Sequence, residues 1–377
     1  MRILIGGDIA LTKGYEKISE SNDLFGDVIE YKTMNKVDFL IGNLEAPLTY
    51  CDNKILKSGP AIKSSPNSIK QFKGFNLLTL SNNHILDYGE EGLKSTIEQL
   101  NRLKLDFTGI SINGEFEPKK LTTEGQAAYI VSMSEQEFNQ SKNGYGASPL
   151  CLLSFAEKVK AIRSKHINSP IIAIVHGGTE LCEIPNPTYR KQCKLLIELG
   201  ASIVVGHHSH AVSGIEYHNG KPIVYSLGNF LFDSDNECES WSTGSLVDIE
   251  FDEHGSLINL IMLPVYNRVD CLGVKFHSGD RKKYHEEMVD NISQIISDEN
   301  KYIKKWSDFA LDNFDGKYAR LALPFWFKGA GLIFRKCKLS WLWTRRSLIS
   351  YQLNIIRCPA HRQVLITELE RRYEELN

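Results

Sequence analysis

Five apolar, largely β-branched runs in this chain are each followed within a few residues by side chains that can bind a metal ion. Continuous apolar runs of this length are typical of strands that are buried on both faces. Polar residues with a purely structural role have no reason to fall at the same end of every strand, so the pattern predicts one shared site. The runs with the residues that follow them are Ile3–Ile5 with Asp8, Val37–Ile41 with Asn43 and Glu45, Phe75–Leu80 with Asn82, Asn83 and His84, Ile171–Val175 with His176, and Ser202–Val205 with His207, His208 and His210.

Helical patterns separate these runs. Glu90–Leu105 carries apolar residues at helical spacing, and Tyr189–Leu199 ends before a glycine that is typical of a helix C-terminus. A third helical stretch, Ala156–His166, precedes the His176 strand. Alternation of strands and helices predicts an α/β fold with helices on the faces of a parallel or mixed sheet. Ligands bind beyond the carboxyl ends of such strands, where all five polar groups fall.

The second half of the chain changes character. Further strands are predicted, and the Asn219-Gly220 turn indicates a hairpin between the first two of them. Beyond about residue 270 helical patterns dominate. We therefore predict two domains, residues 1–268 with the site and residues 269–377 as a basic, tryptophan-rich, mainly helical region. The predicted strands are Gly214–His218, Pro222–Tyr225, Ser245–Phe251 and Leu257–Val265.

Composition narrows the cellular setting. The eight cysteines contain no C-x-x-C pair, which argues against a Cys-zinc module and a compact disulfide framework, and favours free thiols in a reducing compartment. The opening residues read as a strand rather than a signal peptide, and no apolar run is long enough to span a bilayer. We expect a cytoplasmic protein, with the inner face of the membrane as a second location.

The predicted ligands are a mixture of oxygen and nitrogen donors. This mixture suits Mn, Fe, Zn or Co ions and is poor for Ca²⁺. Two such ions about 3.5–4 Å apart form the clamp used in phosphate-ester hydrolysis, with a carboxylate of Glu45 or Asp8 as the bridge. His84 is placed to donate a proton to the leaving group or to stabilise the transition state. The predicted ligands are Asp8, Glu45, Asn83, His176, His208 and His210.

The order of these motifs resembles the calcineurin-like metallophosphoesterase superfamily and, more closely, the CapA (poly-γ-glutamate capsule biosynthesis) family. The resemblance covers about residues 1–265 and includes a specific stretch, Tyr225–Phe230. It implies a four-layer α/β/β/α sandwich with an additional C-terminal helical region. It also implies that the six predicted ligands match the superfamily's metal-binding positions, and that one or two ions are bound. Residues expected to contact substrate or to support the ligands are Asn43, Asn82, Glu180, His207 and Asn229.

The chain departs from the family pattern at three positions. Ala10 stands where the superfamily has the histidine of an Asp-x-His motif, which leaves one metal short of a ligand. Glu45 replaces the usual aspartate at the bridging position. Gly177 replaces a tryptophan that is frequent in relatives, and we expect it to leave more room in the pocket, whereas Glu180 keeps its place.

Two functions follow from the resemblance. The first is a metal-dependent hydrolase that acts on a phosphoester or an amide bond during capsule or extracellular polymer biosynthesis. The second is a non-catalytic subunit that keeps the fold and binds polymer or assembles with capsule machinery proteins. The missing histidine at position 10 supports the second interpretation.

Residues 316–367 contain ten basic and no acidic residues, together with Trp326, Trp341 and Trp343. This segment is interpreted as a helical region with a solvated basic face, as a peripheral membrane contact, or as a binding surface for an anionic polymer. For the protein as a whole, an anionic polymer or a phosphorylated substrate is the expected partner. Nucleic acid is the less favoured partner, because no nucleic-acid-binding module is recognisable.

Overall fold

Two β-sheets pack face to face in the computed structural model, which describes residues 1–111, 115–140, 145–233, 239–313 and 346–376. The first sheet contains eight strands: β1 (Arg2–Ala10), β2 (Phe39–Leu44), β3 (Leu77–Thr79), β4 (Asp106–Thr108), β13 (Asn229–Phe232), β14 (Thr243–Phe251), β15 (Leu257–Arg268) and β16 (Gly273–Phe276). Their order is β16-β15-β14-β1-β2-β3-β4, with β13 also paired to β1.

The second sheet contains six strands: β6 (Lys119–Thr123), β7 (Gln126–Ser134), β9 (Ile171–His176), β10 (Ile203–His207), β11 (Ile215–His218) and β12 (Lys221–Val224). Their order is β11-β12-β10-β9-β7-β6. Two short strands, β5 (Ile110–Ser111) and β8 (Gly146–Ala147), pair separately.

The described residues form nine α-helices, which flank the sheets or follow them. They are α1 (Gly14–Ile18), α2 (Gly26–Met34), α3 (Gly89–Leu103), α4 (Leu152–Arg163), α5 (Pro187–Glu198), α6 (Gly279–Ser297), α7 (Glu299–Asn313), α8 (Arg346–Arg357) and α9 (Pro359–Leu376). Local sequence explains their ends: the Asn186 side chain accepts a hydrogen bond from the Tyr189 backbone N–H at the start of α5, and Pro187 occupies its first turn.

Side-chain alternation along the strands builds the layers. Ile3 and Ile5 of β1 face the other sheet and pack with Ile172 and Ile174 of β9, whereas Leu4 between them packs on the helix side. Because successive side chains point to opposite faces, a strand of apolar residues supplies two cores at once. With helices on the outer faces of both sheets, the molecule is a four-layer α/β/β/α sandwich, and the predicted fold class is confirmed.

The C-terminal helices pack on the outside of the second sheet. Trp306 of α7, Ile355 of α8 and Val364 of α9 belong to the same apolar cluster as the strands of that sheet. The indole N–H of Trp306 donates to Thr367 Oγ1 at 2.8 Å, which ties α7 to α9. The edge strand β16 extends the first sheet past residue 268, so the sheet includes residues on both sides of the predicted domain boundary.

The basic segment falls largely outside the described residues. Residues 314–345 are not among them, so Trp326, Trp341 and Trp343 lie outside the described part of the chain. The membrane contact predicted for 316–367 therefore stays a prediction. Among the helices of the described residues, none is both long and apolar enough to cross a membrane.

Candidate metal centre

The carboxyl ends of the central strands meet where the two sheets face each other. The strand register sets Asp8 of β1 beside Asn43 of β2 and Asn229 of β13. In the second sheet, His207 of β10 pairs with His176 of β9. The first sheet thus supplies oxygen donors and the second supplies imidazoles, as expected where parallel strands end together.

Glu45 lies at the centre of the cluster. Its Oε1 atom is 3.6 Å from Nε2 of His176, 3.8 Å from Nε2 of His210 and 3.9 Å from Nε2 of His84. These separations are too long for hydrogen bonds. Ligand atoms about 2.1 Å from a tetrahedral metal ion lie roughly 3.4 Å from one another, close to what is observed here.

The environment of Glu45 fits a cation. The side chain is fully buried, and neither of its carboxylate oxygens has a hydrogen-bond partner among the described residues. Burial, with Asp8 nearby, raises the pKa of Glu45 well above its usual range. A buried carboxylate without a partner is costly, and a bound divalent ion would compensate it.

The pKa of Asp8 is shifted in the opposite direction to that of Glu45. Asn43 Nδ2 donates to Oδ1 at 2.7 Å, and the backbone N–H of His208 donates to Oδ2 at 3.0 Å. Burial alone would raise the pKa of Asp8, but His176 and His207 outweigh it and hold the pKa well below its usual range. Asp8 is therefore ionised, as a metal ligand must be.

The potential ligands divide into two trios that share Glu45. The first contains Glu45, His176 and His208, and the second contains Asp8, Glu45 and His210. In each trio the ligand atoms lie within 4.8 Å of one another. Asn83 joins the first, since its Oδ1 is 3.0 Å from Nε2 of His176. The six residues together would hold a divalent metal, and Glu45 belongs to both trios.

The histidines of the first trio are suited to metal binding. Burial lowers the pKa of His176 to about 4, although Asp8 opposes the shift. Burial, with His176 nearby, also lowers the pKa of His208 well below its usual range. Both imidazoles are neutral near pH 7, the form that coordinates metals.

Backbone strain accompanies the histidine cluster. His208 and His210 have φ of 91° and 54°, in the left-handed region that non-glycine residues rarely occupy. Such a conformation costs about 1–3 kcal/mol per residue, and it persists where the surrounding structure enforces it. Here it turns two side chains from one short loop toward Glu45.

An apolar wall stands where the superfamily would have its other histidine. Ala10 is fully buried in a cluster with Phe232 and Trp241. The His210 ring packs on Trp241, with ring centroids 4.6 Å apart. Asn229 Oδ1 contacts His210 Nδ1 at 2.8 Å and so orients this ring. The second trio keeps three ligands and gains none from position 10.

His84 is held by a charged pair. Its Nδ1 atom is 2.6 Å from Asp87 Oδ2, and Lys57 Nζ is 2.6 Å from Asp87 Oδ1. Burial and Lys57 lower the pKa of His84, while Asp87 raises it. Asn82 shapes the loop, because its Oδ1 accepts from the His84 backbone N–H at 3.1 Å and its Nδ2 donates to the Leu44 carbonyl oxygen at 2.8 Å.

A cavity of about 680 Å³ opens onto this cluster. Its walls combine polar, basic and aromatic side chains from distant parts of the chain, including the C-terminal helices. His207 is buried behind the cavity, with Nδ1 3.3 Å from Asp8 Oδ1. The lining includes Lys57, Lys63, Asn83, His84, Glu180, His210, Trp241, Tyr351, Asn354 and His361.

The expectation that Gly177 leaves more room is wrong. A Cβ atom at this position would lie 2.8 Å from Cγ and 3.0 Å from Cδ of Glu135. The Glu135 side chain fills the space, and its Oε2 accepts from the Gly178 backbone N–H at 3.0 Å. Burial raises the pKa of Glu135 to about 8.

Several residues beside the ligand cluster or in the cavity wall were not predicted from the sequence. Glu135 and Glu137 follow β7, whose apolar run ends in carboxylates just as the other strands end in potential ligands. The rule that polar side chains directly after a buried strand mark the site would therefore have identified both glutamates. Asp87 lies three residues after His84. No local pattern indicates that Asn354 and His361 of the C-terminal helices reach the cavity.

Comparisons with known proteins support the resemblance. The family model described as "Bacterial capsule synthesis protein PGA_cap" matches residues 2–234. The chain is 30% identical to the PGA biosynthesis protein CapA of Bacillus subtilis over 60% of its length and 62% of the relative. It is 27% identical to the capsule biosynthesis protein CapA of Bacillus anthracis over 67% of its length and 64% of the relative.

The chain thus spans less than two thirds of the length of these two relatives. Among solved structures, a 5'-nucleotidase precursor from Thermus thermophilus matches with a TM-score of 0.46 and 11% identity, over 79% of this chain and 59% of that one.

Proposed function

Because the chain belongs to the bacterial capsule synthesis protein PGA_cap family, we propose that it is a metal-dependent hydrolase that acts in capsule or extracellular polymer biosynthesis. The observation that carries the proposal is the position of Glu45, a buried carboxylate without hydrogen-bond partners among the described residues and surrounded by three imidazoles. A buried carboxylate with a structural role would accept hydrogen bonds from neighbouring donors, whereas a carboxylate that binds a cation needs no such donors.

Each residue has a defined task in this proposal. Asp8, Glu45, Asn83, His176, His208 and His210 would hold the metal. A divalent transition metal supplies a Lewis acid and an activated water to a hydrolytic site. Asp87 orients His84 so that its Nε2 atom points toward Glu45. In this position His84 would donate a proton to the leaving group or a hydrogen bond to the developing charge.

The cavity wall carries charges of both signs. Lys57 and Lys63 line it with Trp241, and so do Glu180 and Asp233. The ammonium group of Lys63 is also 4.8 Å from the centre of the Tyr88 ring. Positive charge beside a metal centre attracts phosphoesters and polymer carboxylates alike, so we propose an anionic polymer or a phosphorylated compound as the substrate.

The experiment combines metal analysis with turnover. Metal per chain is counted in purified protein, and hydrolysis is measured on p-nitrophenyl phosphate, bis-p-nitrophenyl phosphate and poly-γ-glutamate. His176→Ala and His208→Ala should lose metal and activity, whereas the control His254→Ala, whose side chain is 76% exposed, should keep both. Undiminished activity in metal-free protein would refute the proposal that the hydrolase depends on metal.

A second candidate is a polymer-binding or assembly subunit of a capsule complex. The observation in its favour is the apolar wall at Ala10, which leaves the Asp8 trio with three ligands. It predicts that His176→Ala contains as much metal as the wild type, that none of the three substrates is turned over, and that the protein co-purifies with capsule machinery proteins. Metal that is lost in His176→Ala, together with turnover by the wild type, would exclude it.

A further inference from the structure

A second group of potential metal ligands lies beside the first, where the C-terminal helices meet the sandwich, and its Glu137 Oε1 is 3.8 Å from Nε2 of His208. Glu137, Cys358 and His361 place a carboxylate oxygen, a sulfur and an imidazole nitrogen within 4.8 Å of one another. Glu137 follows β7, and the other two residues come 221 or more positions later in the chain. The cluster is therefore a product of the tertiary fold.

Local geometry directs the three side chains to one point. Cys358 immediately precedes α9, and His361 follows three residues later, a spacing that puts both on the same side of a helical turn. The Cys358 Sγ atom is 3.7 Å from Glu137 Oε1. In a tetrahedral zinc site, sulfur and oxygen ligands lie roughly 3.5 Å apart, so little movement is required.

Burial separates this cluster from an ordinary surface group. Cys358 is fully buried, and the side chain of Glu137 is 8% exposed. Independent contacts fix the helix that follows the cysteine: Thr188 of α5 donates to Gln363 of α9, and Trp306 donates to Thr367. Cys358 and His361 thus have a rigid support, as a metal site requires.

We propose that Glu137, Cys358 and His361 form a zinc site that cross-links the C-terminal helices to the sandwich beside the cavity. Thiolate, imidazole and carboxylate are the ligands that Zn²⁺ takes in proteins, and the sulfur disfavours Mg²⁺ and Ca²⁺. Glu137 and His361 also line the cavity, so water or substrate would have access to an ion held here. The proposal does not depend on hydrolysis.

Cobalt distinguishes this site from the centre around Glu45. The ligands proposed there contain no cysteine, so of these two sites it is the Cys358 site that gives a thiolate-to-cobalt charge-transfer band in the near ultraviolet. The band should be present in Co²⁺-loaded wild type and in His176→Ala, and absent in Cys358→Ser. The matched control is Cys151→Ser, since Cys151 also precedes a helix but lies outside the cluster.

Zinc content gives an independent readout. As purified, Cys358→Ser should contain about one Zn²⁺ per chain less than wild type. His361→Gln should keep the cobalt band but bind cobalt about tenfold or more weakly. Absence of the band in folded wild type, or its survival in Cys358→Ser, would overturn the proposal. If Cys358→Ser does not fold, X-ray absorption of zinc-loaded His176→Ala tests the proposal instead. A sulfur neighbour about 2.3 Å from zinc is expected, and its absence would overturn the proposal.

Discussion

Asp87 Oδ2 lies 2.6 Å from Nδ1 of His84, so a buried carboxylate fixes the orientation of an imidazole whose Nε2 is directed toward Glu45. The carboxylate is shared, because Lys57 Nζ contacts its other oxygen and the Ile62 backbone N–H donates to Oδ2 at 2.8 Å. Such a partner sets the tautomer of the ring and stabilises its protonated form.

Replacing Asp87 by asparagine should therefore impair turnover without removing metal. We expect Asp87→Asn to lower kcat about 100-fold, the scale of a lost general acid, while metal content stays at the wild-type level. Steady-state kinetics and elemental analysis check this. The control is Asp52→Asn, since Asp52 is paired with a lysine but its side chain is 95% exposed. A fall in the metal content of Asp87→Asn as large as the fall in its kcat would show that Asp87 supports the metal centre instead.

Glu45→Gln should change stability in opposite directions with and without metal. In chelator-treated protein, the substitution removes a buried carboxylate without a partner and should stabilise the fold by about 1–3 kcal/mol. In metal-loaded protein it removes the shared ligand and should destabilise. Thermal melts with and without Zn²⁺ measure both effects. Glu253→Gln, at a side chain 85% exposed, should change neither. A destabilised metal-free variant would contradict the account of Glu45.

Gly177→Ala should destabilise the protein by about 1–3 kcal/mol, because the new methyl group would overlap Glu135. Urea denaturation measures the free energy of unfolding. In the double variant Gly177→Ala/Glu135→Ala the overlap is gone, so the two substitutions should not be additive. Gly26→Ala is the control, since a Cβ there meets its nearest atom at 3.4 Å. Additive losses would show that Glu135 does not occupy this space.

His285 should make stability depend on pH in the acid range. The side chain is buried in α6 with Nε2 2.8 Å from Ser245 Oγ, and burial, together with His277, lowers its pKa to about 4. The unfolded chain binds a proton near pH 6.5. As pH falls from 6.5 to 4, protonation therefore favours the unfolded state, and stability should fall by about 3 kcal/mol through this residue.

The measurement compares wild type with His285→Gln. The free energy of unfolding of the wild type should fall more steeply between pH 6.5 and 4 than that of the variant, and the two curves should run parallel above pH 7. His254→Gln, at an exposed histidine, should follow the wild type. Parallel curves over the entire range would exclude a buried neutral imidazole at position 285.

Local sequence was enough for the strands that carry the site. β9 (Ile171–His176) and β10 (Ile203–His207) begin and end within a residue or two of the predicted runs, because a strand buried on both faces needs continuous apolar residues. The hairpin of β6 and β7 was not predicted. β6, Lys119–Thr123, holds only one buried residue, so its hydrophobic pattern is weak.

The sequence by itself determined which residues could bind metal and at which end of the strands they would lie. That edge is set by the parallel order of β1, β2, β9 and β10. Only the tertiary structure decided that Glu45 is the shared centre, that Glu135 fills the space beside Gly177, and that Glu137 meets Cys358. The reason is physical: strand periodicity is a local property, whereas packing two sheets and the C-terminal helices brings together residues with no common pattern.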